Sequence, residues 1–95
     1  MPKYIIEREM PGAGSLGPEQ IRGAAQHSNE ALSKLPGVQW LESYVTDNKV
    51  FCVYIAPDEE SIREHARITG FPANAIREIK TMIDPTAGEG AASAH

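Results

Sequence analysis

The sequence contains one cysteine, no excess of basic residues and no long apolar run. Cys52 has no second cysteine in the chain, which excludes an intramolecular disulfide and fits a reducing compartment. The net charge is −4 and the nine lysines and arginines are scattered, which argues against a nucleic-acid partner. Apolar stretches are far shorter than the roughly 20 residues that span a bilayer, and no secretory pattern is present. We therefore expect a cytoplasmic protein without a membrane partner.

The composition is that of an ordinary globular domain. Of the 95 residues, 41% are hydrophobic and 23% are charged. A chain of this length forms one domain, which we place at residues 1–85, with a disordered C-terminal tail at residues 86–95 because this segment is small and polar. A core this small is marginal, so association with a second copy would help cover apolar surface. We expect a homodimer.

Strand and helix patterns alternate along the chain. β-branched and aromatic residues with period-two alternation predict four strands, at residues 3–10, 38–46, 50–56 and 76–83. Apolar residues recurring every three or four positions predict helices at residues 18–35, whose buried side begins with Ile21, and 58–69. The order predicts an α+β ferredoxin-like β-α-β-β-α-β sandwich, in which an antiparallel four-stranded sheet carries two helices on one face.

Three glycines match a phosphate-binding pattern between the first strand and the first helix. Gly12, Gly14 and Gly17 have the spacing G-x-G-x-x-G. A dinucleotide site needs the helix to begin within the motif, whereas Pro18 predicts a helix that begins after the last glycine. We therefore interpret the segment as a flexible loop.

Polar and aromatic side chains within the strands are candidate binding residues: Glu7, Trp40, Glu42, Tyr44, Cys52 and Tyr54. Strand alternation decides which of them share a face. If the hairpin loop has an odd number of residues, the second-strand residues Trp40, Glu42 and Tyr44 share a face with Cys52 and Tyr54 of the third strand. We prefer this arrangement because it separates an apolar face from a polar one. The polar face would then be a ligand or metal site or, more commonly for exposed aromatics, a dimer interface.

A different hairpin loop reverses this assignment. A two-residue loop at Asp47-Asn48 would put Cys52 and Tyr54 with Leu41 and Val45, because one register step exchanges the faces of a strand.

His65 is a further candidate. It follows Ile62 by three residues and lies at the edge of the helix face that looks onto the sheet. Imidazole is a common metal ligand. The chain has no C-x-x-C, H-x-x-x-H or H-E-x-x-H spacing, so the sequence does not predict a structural zinc site.

Four groups of residues together indicate a family. They are YIIER at residues 4–8 with Pro11-Gly12, WLESYV at 40–45, CVYIAPDE at 52–59, and EHA at 64–66 with GFP at 70–72. Through them the chain resembles a family of small bacterial ferredoxin-like proteins of unknown function that includes a nickel-binding member. The resemblance covers residues 3–85 and implies a dimer that binds nickel or another divalent transition metal. For such a site we expect at least one of Glu7, Cys52 and His65 to be a direct ligand.

Three functions remain open from the sequence. The first is a dimeric binding protein for nickel or another divalent transition metal. The second is a dimeric α/β-barrel-type enzyme or small-molecule-binding domain, although no residue pair specifies a reaction. The third is a purely structural or regulatory interaction module.

Overall fold

The computed structural model describes residues 1–93, with side chains through Glu89, and has the predicted α+β ferredoxin-like fold. The strands are β1 (Lys3–Glu9), β2 (Gln39–Val45), β3 (Lys49–Ile55) and β4 (Ala75–Ile79). The helices are α1 (Pro18–Leu32), α2 (Glu59–Thr69) and α3 (Pro85–Ser93). The sheet order is β2-β3-β1-β4, with every neighbouring pair antiparallel. No helix in the described part is long and apolar enough to cross a membrane.

The core lies between the sheet and helices α1 and α2. Alternation along β1 sends Tyr4, Ile6 and Arg8 to the helix side, and all three are buried. In β3 the paired residues Tyr54 and Cys52 lie opposite Tyr4 and Ile6 and are buried as well. Burying an isoleucine such as Ile6 stabilises a domain by about 1.5–3 kcal/mol. This face of the sheet is thus the inner face, and the face turned away from α1 and α2 is the open face.

Helix α2 has defined signals at both ends. The Asp58 carboxylate accepts a hydrogen bond from the Ser61 N–H at 2.8 Å, which caps one of the free amides of the first turn. Gly70 ends the helix with a φ of 78°, a left-handed conformation that glycine adopts without strain. Between these ends Ile62 and His65 are buried against the sheet.

The glycine-rich loop packs against the tip of the β2–β3 hairpin. Gly12 has a φ of 81°, and the Gly14 N–H donates to the Asp47 carbonyl at 3.0 Å. A Cβ on Gly14 would lie 2.9 Å from the Asp47 Cα, so the close approach requires glycine there. Helix α1 begins at Pro18, after Gly17, as predicted. The glycine spacing therefore has a packing explanation.

Near its loop, the β2–β3 hairpin has the register of the two-residue loop; beyond a β-bulge it has the other register considered from the sequence. Its loop has two residues, because the Thr46 N–H donates to the Lys49 carbonyl at 2.8 Å across Asp47 and Asn48. Next to this loop, Ser43 lies opposite Cys52. The preferred odd-numbered loop was therefore wrong, and Cys52 faces the helices.

A β-bulge further along β2 shifts the register by one residue. The pairing passes from Trp40 opposite Tyr54 to Glu42 opposite Val53, so Leu41 is the extra residue. The bulge brings Trp40 to the inner face beside Tyr54, although two-residue-loop pairing alone would have sent it outward. The expected grouping on one face is thus divided: Trp40, Cys52 and Tyr54 lie inside, whereas Glu42 and Tyr44 lie on the open face.

Strand β4 is shorter than the predicted 76–83. Its last residue, Ile79, pairs with Lys3, where β1 begins, so residues 80–83 have no strand to pair with. Helix α3 occupies most of the segment predicted to be a disordered tail, with residues 94 and 95 outside the described part. Residues 81–89 are all exposed, so the described side chains of this segment pack little. Disorder of the tail stays a prediction.

Candidate functional site

A cluster of polar side chains lies between the sheet and the two helices. It consists of Arg8 from β1, Cys52 and Tyr54 from β3, His65 from α2 and Ser28 from α1. All five residues are buried, and Arg8, Tyr54 and His65 are among the largest fully buried side chains. Polar groups at such depth are normally hydrogen-bonded, so any unpaired atom among them invites a functional explanation.

Arg8 is a buried cation whose hydrogen bonds are incomplete. The residue is 2% exposed. Its Nε donates to the Cys52 Sγ at 3.4 Å, and its Nη1 donates to the Pro72 carbonyl at 2.7 Å. The guanidinium also lies 5.8 Å from the centroid of the Phe71 ring. Its Nη2 has no hydrogen-bond partner among the described residues.

No carboxylate of the described residues forms an ion pair with this cation. Each ion pair found among residues 1–93 involves another basic residue, and none includes Arg8. Its two hydrogen-bond acceptors are a sulfur and a backbone carbonyl, and a buried charge without a carboxylate counter-ion costs several kcal/mol. Arg8 is therefore a buried cation without a carboxylate partner among the described residues.

His65 is held as a neutral imidazole. Its Nε2 is 3.2 Å from the Ser28 Oγ, and its ring centroid is 5.2 Å from that of Tyr54. Its Nδ1 has no partner among the described residues. Burial, reinforced by the Arg8 charge, lowers the pKa of His65 to about 4. Burial and the neighbouring Cys52 raise the pKa of the Tyr54 phenol, while Arg8 acts in the opposite direction.

A cavity of about 130 Å³ adjoins this cluster, between α1 and the inner face of the sheet. Arg8, Ser28, Cys52 and Tyr54 contribute to its wall. The remaining lining residues are mostly apolar, so the polar cluster meets an apolar space. Helix α1 stands away from the sheet here: Ile21, a predicted core position, lines the cavity and is 48% exposed.

The three predicted metal ligands do not come together within one chain. Cys52 and His65 are buried on the inner side of the sheet, whereas Glu7 lies on the open face. There the Lys49 ammonium donates to the Glu7 carboxylate at 2.8 Å, and this bond raises the pKa of Lys49. Among the described residues, no group of three or more His, Cys, Asp or Glu side chains could hold a metal ion.

The predicted aromatic face is also divided between the two sides. Trp40 and Tyr54 are paired neighbours inside, and the Trp40 indole N–H donates to the Ser43 hydroxyl at 2.9 Å. Outside, Tyr44 is 57% exposed and its hydroxyl donates to the Glu42 carboxylate. That hydrogen bond raises the pKa of Tyr44.

Arg8 was not singled out from the sequence, although a signal for it exists. It has the same strand parity as Tyr4 and Ile6, whose apolar side chains mark the inner face of β1. An arginine at a core parity is uncommon, since arginine is rarely fully buried unless paired. The alternation of β1 therefore predicts that the Arg8 side chain lies on the inner face of the sheet.

Comparison with known proteins identifies the family. The family described as "Nickel responsive protein SCO4226-like" matches residues 4–79, which is most of the chain. The protein therefore belongs to this family, as the resemblance implied. Its structure is similar to the crystal structure of SCO4226 from Streptomyces coelicolor A3(2), with a TM-score of 0.71, 18% identity and coverage of 85% of this chain and 99% of that one. At this identity the likeness shows the fold. No curated protein sequence matches the chain.

Proposed function

We propose that the protein is a homodimeric binding protein for nickel or another divalent transition metal. The observation that carries the proposal is membership of a nickel-responsive family over residues 4–79. The fold adds a surface on which two copies could meet, and that surface carries carboxylates.

The open face of the sheet supports dimerisation. Neither α1 nor α2 covers it, and its central residues Ile5, Phe51 and Val53 form an apolar patch that is only partly buried. Tyr44 extends this patch at the β2 side. Contiguous exposed apolar surface on a small domain marks an association site, and a second copy of the same face would cover it.

The same face supports a metal site shared between copies. Two copies that meet through this face would bring two sets of its carboxylates together, so ligands from both chains could hold one ion. Glu7 is accessible, with 35% of its side chain exposed, and a carboxylate is a ligand for divalent first-row ions. Cys52 and His65 are enclosed, and the Arg8 guanidinium on the Cys52 sulfur would repel a cation. We therefore put Glu7 first among the three predicted ligands because it is accessible, and a bound ion would displace the Lys49 ammonium that now pairs with its carboxylate.

The test combines metal content, mass and variants. Protein purified without a His-tag should contain nickel by elemental analysis after growth with nickel, and light scattering should give twice the chain mass of 10.3 kDa. Glu7→Gln should weaken Ni²⁺ binding by about tenfold or more in calorimetry, equivalent to ~1.4 kcal/mol. Glu30→Gln, at an exposed position of α1, is the matched control and should bind as the wild type does.

Two results would overturn the proposal. One is a mass near a single chain at micromolar concentration, and the other is the absence of Ni²⁺ binding by the wild type. Unchanged affinity in Glu7→Gln, with a loss in Cys52→Ala or His65→Ala, would move the site to the inner side of the sheet. Comparing the melting temperatures of these variants separates loss of a ligand from loss of stability.

A further inference from the structure

The cavity beside α1 combines an apolar wall with a single charge. Apolar lining comes from α1 and from the sheet, with Ile21, Ala25, Val45 and Val50 among the contributors. Among the described residues that line it, Arg8 is the one with a permanent charge. The His65 imidazole nearby is neutral at pH 7.

Arg8 lacks the partner that its environment would require. Two of its nitrogens are bonded, Nε to the Cys52 sulfur and Nη1 to the Pro72 carbonyl, and neither partner is a carboxylate. Its Nη2 is buried without a partner, and no carboxylate of residues 1–93 pairs with it. Because Arg8 lines the cavity, an anion bound there would supply the counter-charge that the described residues do not provide.

We propose that this cavity binds a small organic acid, with its apolar body against α1 and its carboxylate on Arg8. The volume of about 130 Å³ is close to that of an apolar cavity that takes up benzene, about 150 Å³. One guanidinium in an apolar wall suits a monoanion with a hydrocarbon body. A phosphate, with more charge and no apolar part, would leave most of the wall unused. The cavity lies on the opposite side of the sheet from Glu7, so this inference does not depend on metal binding.

The probe for the test is sodium benzoate, with benzamide as a neutral molecule of the same shape. Trp40 lines the cavity and is the single tryptophan of the chain, so its fluorescence reports occupancy. Benzoate should change Trp40 emission and should bind about tenfold or more tightly than benzamide, because charge-assisted hydrogen bonds are the stronger ones. Calorimetry on the full chain should give the same ratio.

Variants distinguish the contribution of the Arg8 charge to binding from the contribution of the cavity. Arg8→Met should weaken benzoate binding about tenfold or more and benzamide binding much less, because benzamide loses a neutral hydrogen bond and no charge pairing. Arg63→Met, at an exposed arginine paired with Glu59, should change neither. Ala25→Leu fills the cavity from α1 and should weaken both ligands, which keeps the test decisive if Arg8→Met fails to fold.

Three outcomes would overturn the proposal. They are absence of benzoate binding to the wild type, equal binding of benzoate and benzamide, and benzoate binding that survives both Arg8→Met and Ala25→Leu.

Discussion

Acidification should destabilise this protein through His65, a residue with no exposed surface. Protonating its ring inside the domain would place a second positive charge near Arg8. The Ser28 hydroxyl lies 3.2 Å from Nε2, and Nδ1 has no hydrogen-bond partner among the described residues. The folded protein therefore resists protonation more than the unfolded chain does, and the pKa of His65 falls from 6.5 to about 4.

The size and sign of the effect follow from that pKa shift. A lowering from 6.5 to about 4 corresponds to about 3 kcal/mol, at 1.36 kcal/mol per pKa unit. Between these two values the unfolded chain binds a proton at this position and the folded chain does not. The stabilisation is therefore complete above pH 6.5 and is lost progressively as the pH falls toward about 4. For a small domain, 3 kcal/mol is a large part of the total stability of about 5–15 kcal/mol.

Urea unfolding at a series of pH values between 4 and 7.5 measures this contribution. His65→Gln, which keeps a hydrogen-bonding group near Ser28, should lose most of the pH dependence above pH 4.5. His27→Gln is the matched control, because His27 donates to the Thr69 carbonyl at 2.8 Å and is not enclosed in the core. This variant should keep most of the pH dependence, since the His27 charge is the smallest of the causes that lower the pKa of His65. Proton NMR of the His65 ring should show a midpoint near 4. A midpoint near 6.5, or equal pH dependence in His65→Gln and the wild type, would refute the reasoning.

Two further predictions concern the glycines and the C-terminal segment. Gly14→Ala should lower stability by about 1–3 kcal/mol in urea unfolding, because its Cβ would lie 2.9 Å from the Asp47 Cα, while Gly23→Ala, with nothing near, should raise stability by about 0.5–1 kcal/mol. Equal effects of the two changes would contradict the close packing of this loop. Removing residues 87–95 should shift the melting temperature by less than about 2 °C, since the described side chains there are exposed. A larger drop would show that the segment packs.

The fold could be predicted because it depends on regular spacing. The period-two pattern of β1 and the capping signals of α2 at Asp58 and Gly70 are visible in the sequence. The length of β4 was predicted less well, because a strand ends where its pairing ends, and the pairing of β4 with β1 stops at Ile79 opposite Lys3. The end of β4 is therefore set by its pairing with β1 and cannot be read from the β4 residues alone.

The candidate site was harder to predict because it depends on irregularities. Alternation would have placed Arg8 inside, but nothing in the sequence indicates that its Nη2 stays without a partner. The helical pattern of α1 predicted Ile21 as a core residue, whereas α1 stands off the sheet there and leaves a cavity. Burial of a helix position depends on the neighbouring element as well as on spacing, and that distance is a tertiary property.

The β2 bulge can be tested directly by deleting a residue. Deleting Leu41, which is 44% exposed, makes the strands equal in length, so Trp40 stays opposite Tyr54 and Glu42 stays opposite Val53. Trp40 emission should therefore remain that of an inner-face residue, with a stability loss of about 1 kcal/mol or less.

Deleting Ser43 instead is the matched control. It also removes one residue of β2, but it moves Glu42 to the inner position opposite Cys52. Burying a carboxylate there, together with loss of the Trp40–Ser43 hydrogen bond, should cost several kcal/mol more than deletion of Leu41. A red shift of Trp40 emission after deletion of Leu41 would show that Trp40 has left the inner face, because the residues before Leu41 changed their register. Equal destabilisation by the two deletions would show that Leu41 is not the extra residue.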